Sequence, residues 1–353
     1  MNNPLLDTSS LPRFADIRPD HVLPAIETLI SKHRDKLDML LNANSDPSFE
    51  SLVVPVELME HELGRVWSPI IHLQSVLGSS DWREAYNQAL PLLTEHGTEI
   101  SQNARLQNAY AGVGASLTDD DSESHRSAVE HALRDFHLAG VDLPEADKQR
   151  FKNIMQELAA TQACFEHNVQ DAMDAWFLRI VDQNELSGLP KQAMDRAAEN
   201  ARAKKLDGWL WTLNYPTYDV IMKHAHDRRL REKLYRAWTT RGSELCSNPE
   251  WDNSANIDKI LALRHEAANL VGFDTYADYS LATKMAGSVE DVLGFLRRLA
   301  ARSRSAAEHE LAELQEFAGM QLEPWDITFW LEKYKQARFS VSNEELRQYF
   351  PSR

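Results

Sequence analysis

Cysteine is nearly absent from this sequence, which has two in 353 residues, Cys164 and Cys246, far apart. A disulfide framework or a thiolate zinc site needs several cysteines at short spacings such as CxxC, so the sequence indicates neither. It also has no apolar run of about eighteen residues, and no basic segment followed by an apolar one near its start. These absences predict a soluble protein of the reducing cytoplasm.

Positive charge is also in short supply, since 38 lysines and arginines stand against 54 aspartates and glutamates and leave a formal net charge of −16. Nucleic acids and anionic membranes repel such a chain unless a local basic patch offsets the balance. The densest basic cluster, Arg228 to Lys233, is interleaved with acidic residues, which favours an ordinary patterned helix surface. We therefore expect no nucleic-acid partner and no membrane partner.

Motifs for a self-contained active site are missing as well. The sequence has no GxSxG, GxxxxGK[ST] or GxGxxG, so it indicates no nucleophile elbow, phosphate loop or dinucleotide fold. An HExxH zinc site needs two histidines four residues apart on one helix face, with a glutamate that activates water. Three His-Glu pairs occur, and none has the second histidine: His61-Glu62, His265-Glu266 and His309-Glu310. We predict no catalytic residue and no metal ligand in this sequence.

Three weaker candidates have simpler explanations. His224 and His226 would point about 200° apart on a helix, so they converge on one ion only if the backbone there forms a loop. The acidic run from Thr118 to Glu123 has nothing that fixes its carboxylates, and it predicts a solvated loop that leads into a helix. Five tryptophans lie between residues 176 and 251. They favour packing between helices and sheet over a ligand-binding wall.

Apolar residues recur at three- and four-residue steps through most of the chain, the spacing of amphipathic helices. The most clearly marked stretch, residues 253–295, predicts three successive helices. The first ends at Gly272, the second spans residues 275–286 with Asp274 as its cap, and the third begins after Ser288.

The pattern changes near residue 176. Residues 176–181 and 208–213 are rich in aromatic and branched side chains and predict two short strands, paired across a helix at 189–204. The predicted fold class is therefore mainly α, a multi-helix protein with one small two-stranded β element near 176–213.

Several segments, in order along the whole chain, resemble oligopeptidase A and its thimet-oligopeptidase-type relatives, a family of zinc metallopeptidases. The longest is ILALRHEAANLVGFDTYADYSLATKMA, at residues 260–286. The shorter ones are NNPLL, PRF at 12–14, HVLPAI, ALRDF at 132–136, LSGLP at 186–190, YPTY at 215–218, PWDI at 324–327 and YFP at 349–351.

The resemblance implies a cytoplasmic, mostly helical zinc metalloendopeptidase with two zincin-type lobes that enclose a channel for short peptides. In that family an HExxH helix and a downstream glutamate hold the zinc, beyond the segment that matches residues 349–351. The resemblance thus covers the amino-terminal half. It implies a helical domain at 1–142, a long helix with the small β element at 143–222, and the start of the catalytic domain at 223–353.

This interpretation predicts that the chain alone binds no zinc and cleaves no peptide. Its partners would be short peptides and a carboxyl-terminal catalytic half, and apolar surface that this half covers would be exposed. A second interpretation stays open, a helical module that binds peptides or regulates without cutting. Arg264 and Lys284 are candidates to bind a peptide carboxylate, but exposed basic residues are common on helices, so the substrate-binding residues stay unassigned.

Overall fold

The computed structural model describes residues 3–7, 11–43, 46–118, 120–339 and 349. Within these residues the chain is built almost entirely from α-helices, which confirms the predicted mainly α fold. The helices are α1 (Val22–Ala43), α2 (Val54–Leu77), α3 (Ser80–Ser101), α4 (Ala104–Ser116), α5 (Glu123–Leu138), α6 (Glu145–Ala175), α7 (Lys191–Ala203), α8 (Tyr215–His224), α9 (Arg228–Thr239), α10 (Ser254–Leu270), α11 (Tyr276–Leu281), α12 (Val289–Ala318) and α13 (Pro324–Phe339).

The predicted β element is confirmed as a two-stranded antiparallel sheet. Strand β1 (Phe177–Ile180) pairs with β2 (Trp209–Thr212), so that Phe177 lies opposite Thr212 and Ile180 lies opposite Trp209. Helix α7 connects the two strands and packs on β2. The aromatic and branched residues of the strands therefore mark a sheet that is covered on one side by a helix.

The stretch 253–295 forms three helices, as predicted, but the second is shorter than expected. Helix α10 ends just before Gly272, which has the left-handed φ of 85°. Helix α11 has six residues instead of the twelve of 275–286, and its cap is Thr275, whose hydroxyl accepts a hydrogen bond from the Asp278 amide. The prediction of Asp274 as the cap was wrong, because Thr275 is the residue with the extended backbone that an N-cap requires.

Helix α12 follows the sequence signals closely. The Ser288 hydroxyl accepts a hydrogen bond from the Asp291 amide at 3.1 Å and donates one to the Asp291 carboxylate at 2.7 Å. The helix has thirty residues and ends at Ala318, and its C-cap is Gly319, which has a φ of 67°. Both ends are therefore fixed by local chemistry, a serine cap and a left-handed glycine.

The chain divides into two compact units. Unit 1 comprises residues 1–164 and 256–285, and unit 2 comprises residues 165–255 and 286–353. The three-part division at 1–142, 143–222 and 223–353 stays a prediction.

Unit 1 has three apolar clusters between helices. The first joins α1, α2 and α3, the second is formed largely by α4, α5 and the turn before α2, and the third joins α6 with α10. Representative buried residues are Ile26, Ile70 and Ala89 in the first, Leu52, Leu106 and Val113 in the second, and Phe151, Ile154 and Ala267 in the third. Such interhelical burial supplies most of the driving force for folding.

Unit 2 has one main cluster, in which the sheet packs with α7, α8 and α9. The tryptophans at 176, 209, 211 and 238 belong to it, which confirms the packing interpretation for these four. Helix α13 packs on α8 and α9 and also on the end of α12. In the described part of the chain, no helix is both long enough and apolar enough to cross a membrane.

Candidate functional site

The three His-Glu pairs lie on three different helices. His61 is on α2, His265 on α10 and His309 on α12, and all three side chains are exposed. Within the described residues, no group of three or more histidines, cysteines, aspartates or glutamates is placed to hold a metal ion. The assignment of no metal ligand and no catalytic residue stays a prediction.

Two of the glutamates in these pairs are engaged in ion pairs. Glu62 accepts a hydrogen bond from the Lys32 amine at 2.7 Å. Glu266 accepts two from the Arg150 guanidinium, each at 2.6 Å, and these bonds hold the pKa of Glu266 below its usual value. Both carboxylates thus act as partners of basic side chains within unit 1.

His224 and His226 lie where α8 ends and a short loop leads into α9. The loop conformation does occur, but His226 packs against the chain near Ser187, whose carbonyl accepts the His226 amide at 2.9 Å. Gly188 makes this packing possible, because it has a φ of 88° and a Cβ atom there would lie 2.3 Å from the His224 carbonyl oxygen and 2.5 Å from the His226 ring. The His226 ring also meets Phe329 edge-on, with centroids 6.0 Å apart. His224 and His226 therefore contribute to the packing of this loop.

The described residues of the acidic run form the entry to α5, as predicted for a loop, and Asp119 lies outside the described residues. The Asp121 carboxylate accepts hydrogen bonds from the Thr118 amide at 2.7 Å and the Thr118 hydroxyl at 3.1 Å, which lower the pKa of Asp121. Ser122 then caps the helix by accepting a hydrogen bond from the His125 amide. This is local turn and capping chemistry.

Arg264 and Lys284 both make contacts within unit 1. The Arg264 guanidinium lies 5.0 Å from the centroid of the Tyr276 ring, in the range of a cation–π contact. The Lys284 amine donates a hydrogen bond to the Ser280 hydroxyl. Their assignment to a peptide carboxylate stays a prediction.

A buried carboxylate that the sequence pattern did not single out is Asp326, in the first turn of α13, with none of its surface exposed. It accepts hydrogen bonds from Arg228 at 2.7 and 3.0 Å, from Arg231 at 2.8 Å and from the Glu323 amide at 3.1 Å. Burial opposes the ionisation of Asp326, but the two arginines outweigh it and lower its pKa. We call Arg228, Arg231 and Asp326 the arginine–aspartate clamp, because it ties α9 to α13.

Arg231 is the buried cation of this clamp, and 2% of its surface is exposed. It also donates to the Ala225 carbonyl at 2.7 Å and lies 4.2 Å from the centroid of the Phe329 ring. The interpretation of Arg228 to Lys233 as a patterned helix surface was therefore wrong for Arg231. The sequence gives no local sign of this, since the carboxylate partner lies 95 residues away.

Two buried histidines form a second polar cluster, in unit 1. His33 on α1 and His96 on α3 are 1% and 2% exposed, with ring centroids 5.9 Å apart. The His33 Nε2 and both ring nitrogens of His96 have no hydrogen-bond partner among the described residues, and the Glu62 carboxylate lies 3.5 Å from the His33 Nε2. Burial lowers the pKa of both imidazoles.

A groove of about 560 Å³ runs along α2 in unit 1. It combines the apolar side chains of Leu11 and Phe14 with the polar side chains of His61, Arg65 and His72. The Phe14 and His72 rings meet edge-on, with centroids 5.5 Å apart. Concave surfaces of this mixed kind can hold a side chain of a bound peptide.

Comparison with known proteins shows similarity to one group of peptidases. Residues 26–148 match the family model "Neurolysin/Thimet oligopeptidase, N-terminal domain", and residues 221–353 match "Peptidase family M3". Oligopeptidase A of Salmonella typhimurium is 42% identical over 99% of this chain and 53% of its own length, and that of Escherichia coli is 41% identical over the same shares. A probable cytosolic oligopeptidase A of Arabidopsis thaliana is 34% identical over 99% of this chain and 51% of its own.

The chain spans about half the length of the curated relatives it matches. The amino-terminal domain model precedes the peptidase model along the chain, and the alignment to oligopeptidase A takes in nearly every residue. The chain therefore matches two family models of this peptidase group in separate segments, and it aligns with the amino-terminal half of the oligopeptidase A proteins.

Proposed function

We propose that this chain is the amino-terminal part of a zinc-dependent metalloendopeptidase that degrades short peptides in the cytoplasm. The observation that supports the proposal is the 42% identity with oligopeptidase A over 99% of the chain. The helical architecture agrees with it, since the family resemblance implies a helical lobe beside a peptide channel. The chain would supply scaffold and part of the channel wall.

The described residues do not fit a zinc site of the HExxH type. Their three His-Glu pairs lie on three helices, and two of the glutamates are occupied by Lys32 and Arg150. We therefore derive no catalytic step from these residues. In the proposal, the zinc ligands and the glutamate that activates water belong to the half of the relatives' length that this chain does not match.

We expect the purified chain to hydrolyse no quenched fluorescent oligopeptide and to bind no stoichiometric zinc. A catalytic zinc site needs about three protein ligands around an open position, and the chain offers no such set in its described part. The measurements are fluorescence release and metal content after dialysis, with Escherichia coli oligopeptidase A as the positive control. Stoichiometric zinc together with chelator-sensitive hydrolysis by this chain would contradict the proposal.

The groove along α2 favours a second candidate function, peptide binding without cleavage. If it applies, labelled short peptides will bind saturably without turnover, and Phe14→Ala will weaken the binding because it removes the aromatic wall of the groove. Phe177→Ala is the matched control, since Phe177 is an exposed phenylalanine outside the groove. Fluorescence anisotropy measures both. Absence of saturable binding, or equal loss in the two variants, counts against this function.

A further inference from the structure

Helix α12 carries an exposed apolar face in its amino-terminal third. Leu293, Leu296 and Leu299 are 39%, 51% and 53% exposed, and Leu314 is the buried residue of the helix. Leucines at three-residue steps lie on one side of a helix, so these three form a continuous apolar strip. We call them the upstream face of α12.

The same surface occurs a second time on the helix. Leu311, Leu314 and Phe317 lie eighteen residues after Leu293, Leu296 and Leu299. Eighteen residues are about five full turns of 3.6 residues, so the two sets point in the same direction. The second set is the downstream face.

The downstream face is an interface. Leu314 is buried, and the Phe317 ring meets Trp330 and Tyr334 of α13 edge-on, at centroid distances of 6.2 and 5.3 Å. Because the two faces are collinear, the upstream face lies on the same side of α12 as a surface that already packs against a helix, and eleven residues separate the two faces. It has the geometry of a helix interface without a partner in the described chain.

The segment of α12 that carries the upstream face is basic. Residues 292–304 contain Arg297, Arg298, Arg302 and Arg304 and no acidic residue, although the whole chain has a net charge of −16, and Arg304 forms an exposed ion pair with Glu308 at 3.9 Å. An occupant that matches this surface is apolar in its centre and acidic at its margins, since complementary charge favours association and fixes orientation.

We propose that the upstream face is the docking surface for the carboxyl-terminal half of an M3 peptidase, which contacts it with an apolar, acid-bordered surface. The inference rests on the proposed function. The relatives are about twice as long as this chain, and α12 lies inside the part that matches the peptidase model. Apolar helix faces of this extent are normally covered in a folded protein.

The experiment uses two formats. In the first, the chain is co-expressed with the tagged part of Escherichia coli oligopeptidase A that it does not match, and the co-purified amount is measured. In the second, the two are joined in one polypeptide, and peptide hydrolysis and Tm are measured. We expect Leu296→Glu and Leu299→Glu each to lower co-purification about tenfold or more, because a buried carboxylate opposes an apolar contact. In the joined protein, each of the two substitutions should lower the Tm and the rate of peptide hydrolysis.

The matched control is Leu58→Glu, on α2 in unit 1, since Leu58 is also an exposed leucine at 55%. Circular dichroism of the variant chains alone checks that they fold. If the joined protein is active and the Leu296 and Leu299 variants behave like the Leu58 control, the docking inference fails and the proposed function stands. If the joined protein is inactive and nothing co-purifies, the proposed function fails as well. The chain alone is also tested for self-association and for binding to anionic lipid vesicles. If Leu296→Glu abolishes either of these while co-purification persists, the upstream face has another occupant and the inference is overturned.

Discussion

Replacing Asp326 with asparagine should lower the free energy of unfolding by about 3–5 kcal/mol, the cost of removing one partner from a buried ion pair. The change keeps the shape of the side chain but leaves Arg231 buried without its counter-charge, at a site where 0% of the Asp326 surface is exposed. Urea unfolding at neutral pH, followed by tryptophan fluorescence, measures the loss. Seven of the nine tryptophans, Trp325 among them, lie in unit 2, so the signal reports mainly on that unit.

The matched control is Asp195→Asn. Asp195 pairs with Lys191 at 2.8 Å on the exposed surface of α7, and solvent screens such a pair, so Asp195→Asn should change the free energy of unfolding far less than Asp326→Asn. A second comparison is Arg231→Gln with Arg228→Gln. Arg231→Gln should lower the free energy of unfolding more than Arg228→Gln does, because the Arg231 side chain is 3% exposed and that of Arg228 is 46% exposed. A loss below about 1 kcal/mol for Asp326→Asn would show that the clamp is not a buried ion pair in solution.

The clamp also has a defined pH dependence. The folded pKa of Asp326 lies below its unfolded value, so the folded state binds fewer protons than the unfolded state in acid. The clamp therefore stabilises the fold fully above about pH 4, the usual pKa of an aspartate. This stabilisation is lost as the pH falls through the lowered pKa of Asp326.

Replacing His96 with leucine should make unit 1 less sensitive to acid. The folded pKa values of His33 and His96 are lowered, so below about pH 6.5 the unfolded chain takes up protons that the folded chain refuses. The free energy of unfolding therefore has its full value above that pH. It declines below that pH, by up to about 1.4 kcal/mol per pH unit for each histidine. His96→Leu should reduce the slope by up to one such amount, because both ring nitrogens of His96 are buried without partners.

The charged groups around the pair act in both directions. Glu62 favours protonation of His33, while Lys32 and Lys36 oppose it, and at His96 the charge of Arg34 opposes protonation while that of Glu99 favours it. Burial is the largest effect at both rings. Urea unfolding of the wild type and of His96→Leu from pH 7.5 to pH 5 measures the slopes, with exposed His265→Gln as the control. Equal slopes for the wild type and His96→Leu would contradict the prediction.

Sequence patterns located the elements whose limits are set by neighbouring residues. The start of helix α12 was predicted at Ser288 because a hydroxyl cap acts within one turn of the helix end. Helix α11 was predicted too long because its end at Leu281 has no such marker. The strands were predicted because their aromatic and branched residues interrupt the three- and four-residue spacing of apolar residues that is typical of helices.

The buried polar groups were out of reach of the sequence, since their partners lie on other helices. The interleaved charges around Arg231 suggested a solvated surface, and the burial of Arg231 depends on where α13 places Asp326. His33 and His96 likewise meet only when α1 packs against α3. The resemblance to the metallopeptidase family was confirmed by the comparisons, whereas the absence of catalytic and metal-binding residues stays a prediction.

Helix α12 carries the same apolar surface twice, so a neighbouring helix could align with it in two ways. Two collinear apolar faces about 27 Å apart, at 1.5 Å per residue, offer a neighbouring helix two alternative places to pack. Glu313 distinguishes them, because its carboxylate accepts hydrogen bonds from Arg338 at 2.6 Å and from the Tyr334 hydroxyl. The residue eighteen positions earlier is Phe295, which accepts no hydrogen bond through its side chain. Together with the five-residue connection between α12 and α13 and the contacts of Phe317, this carboxylate favours the downstream face as the place where α13 packs.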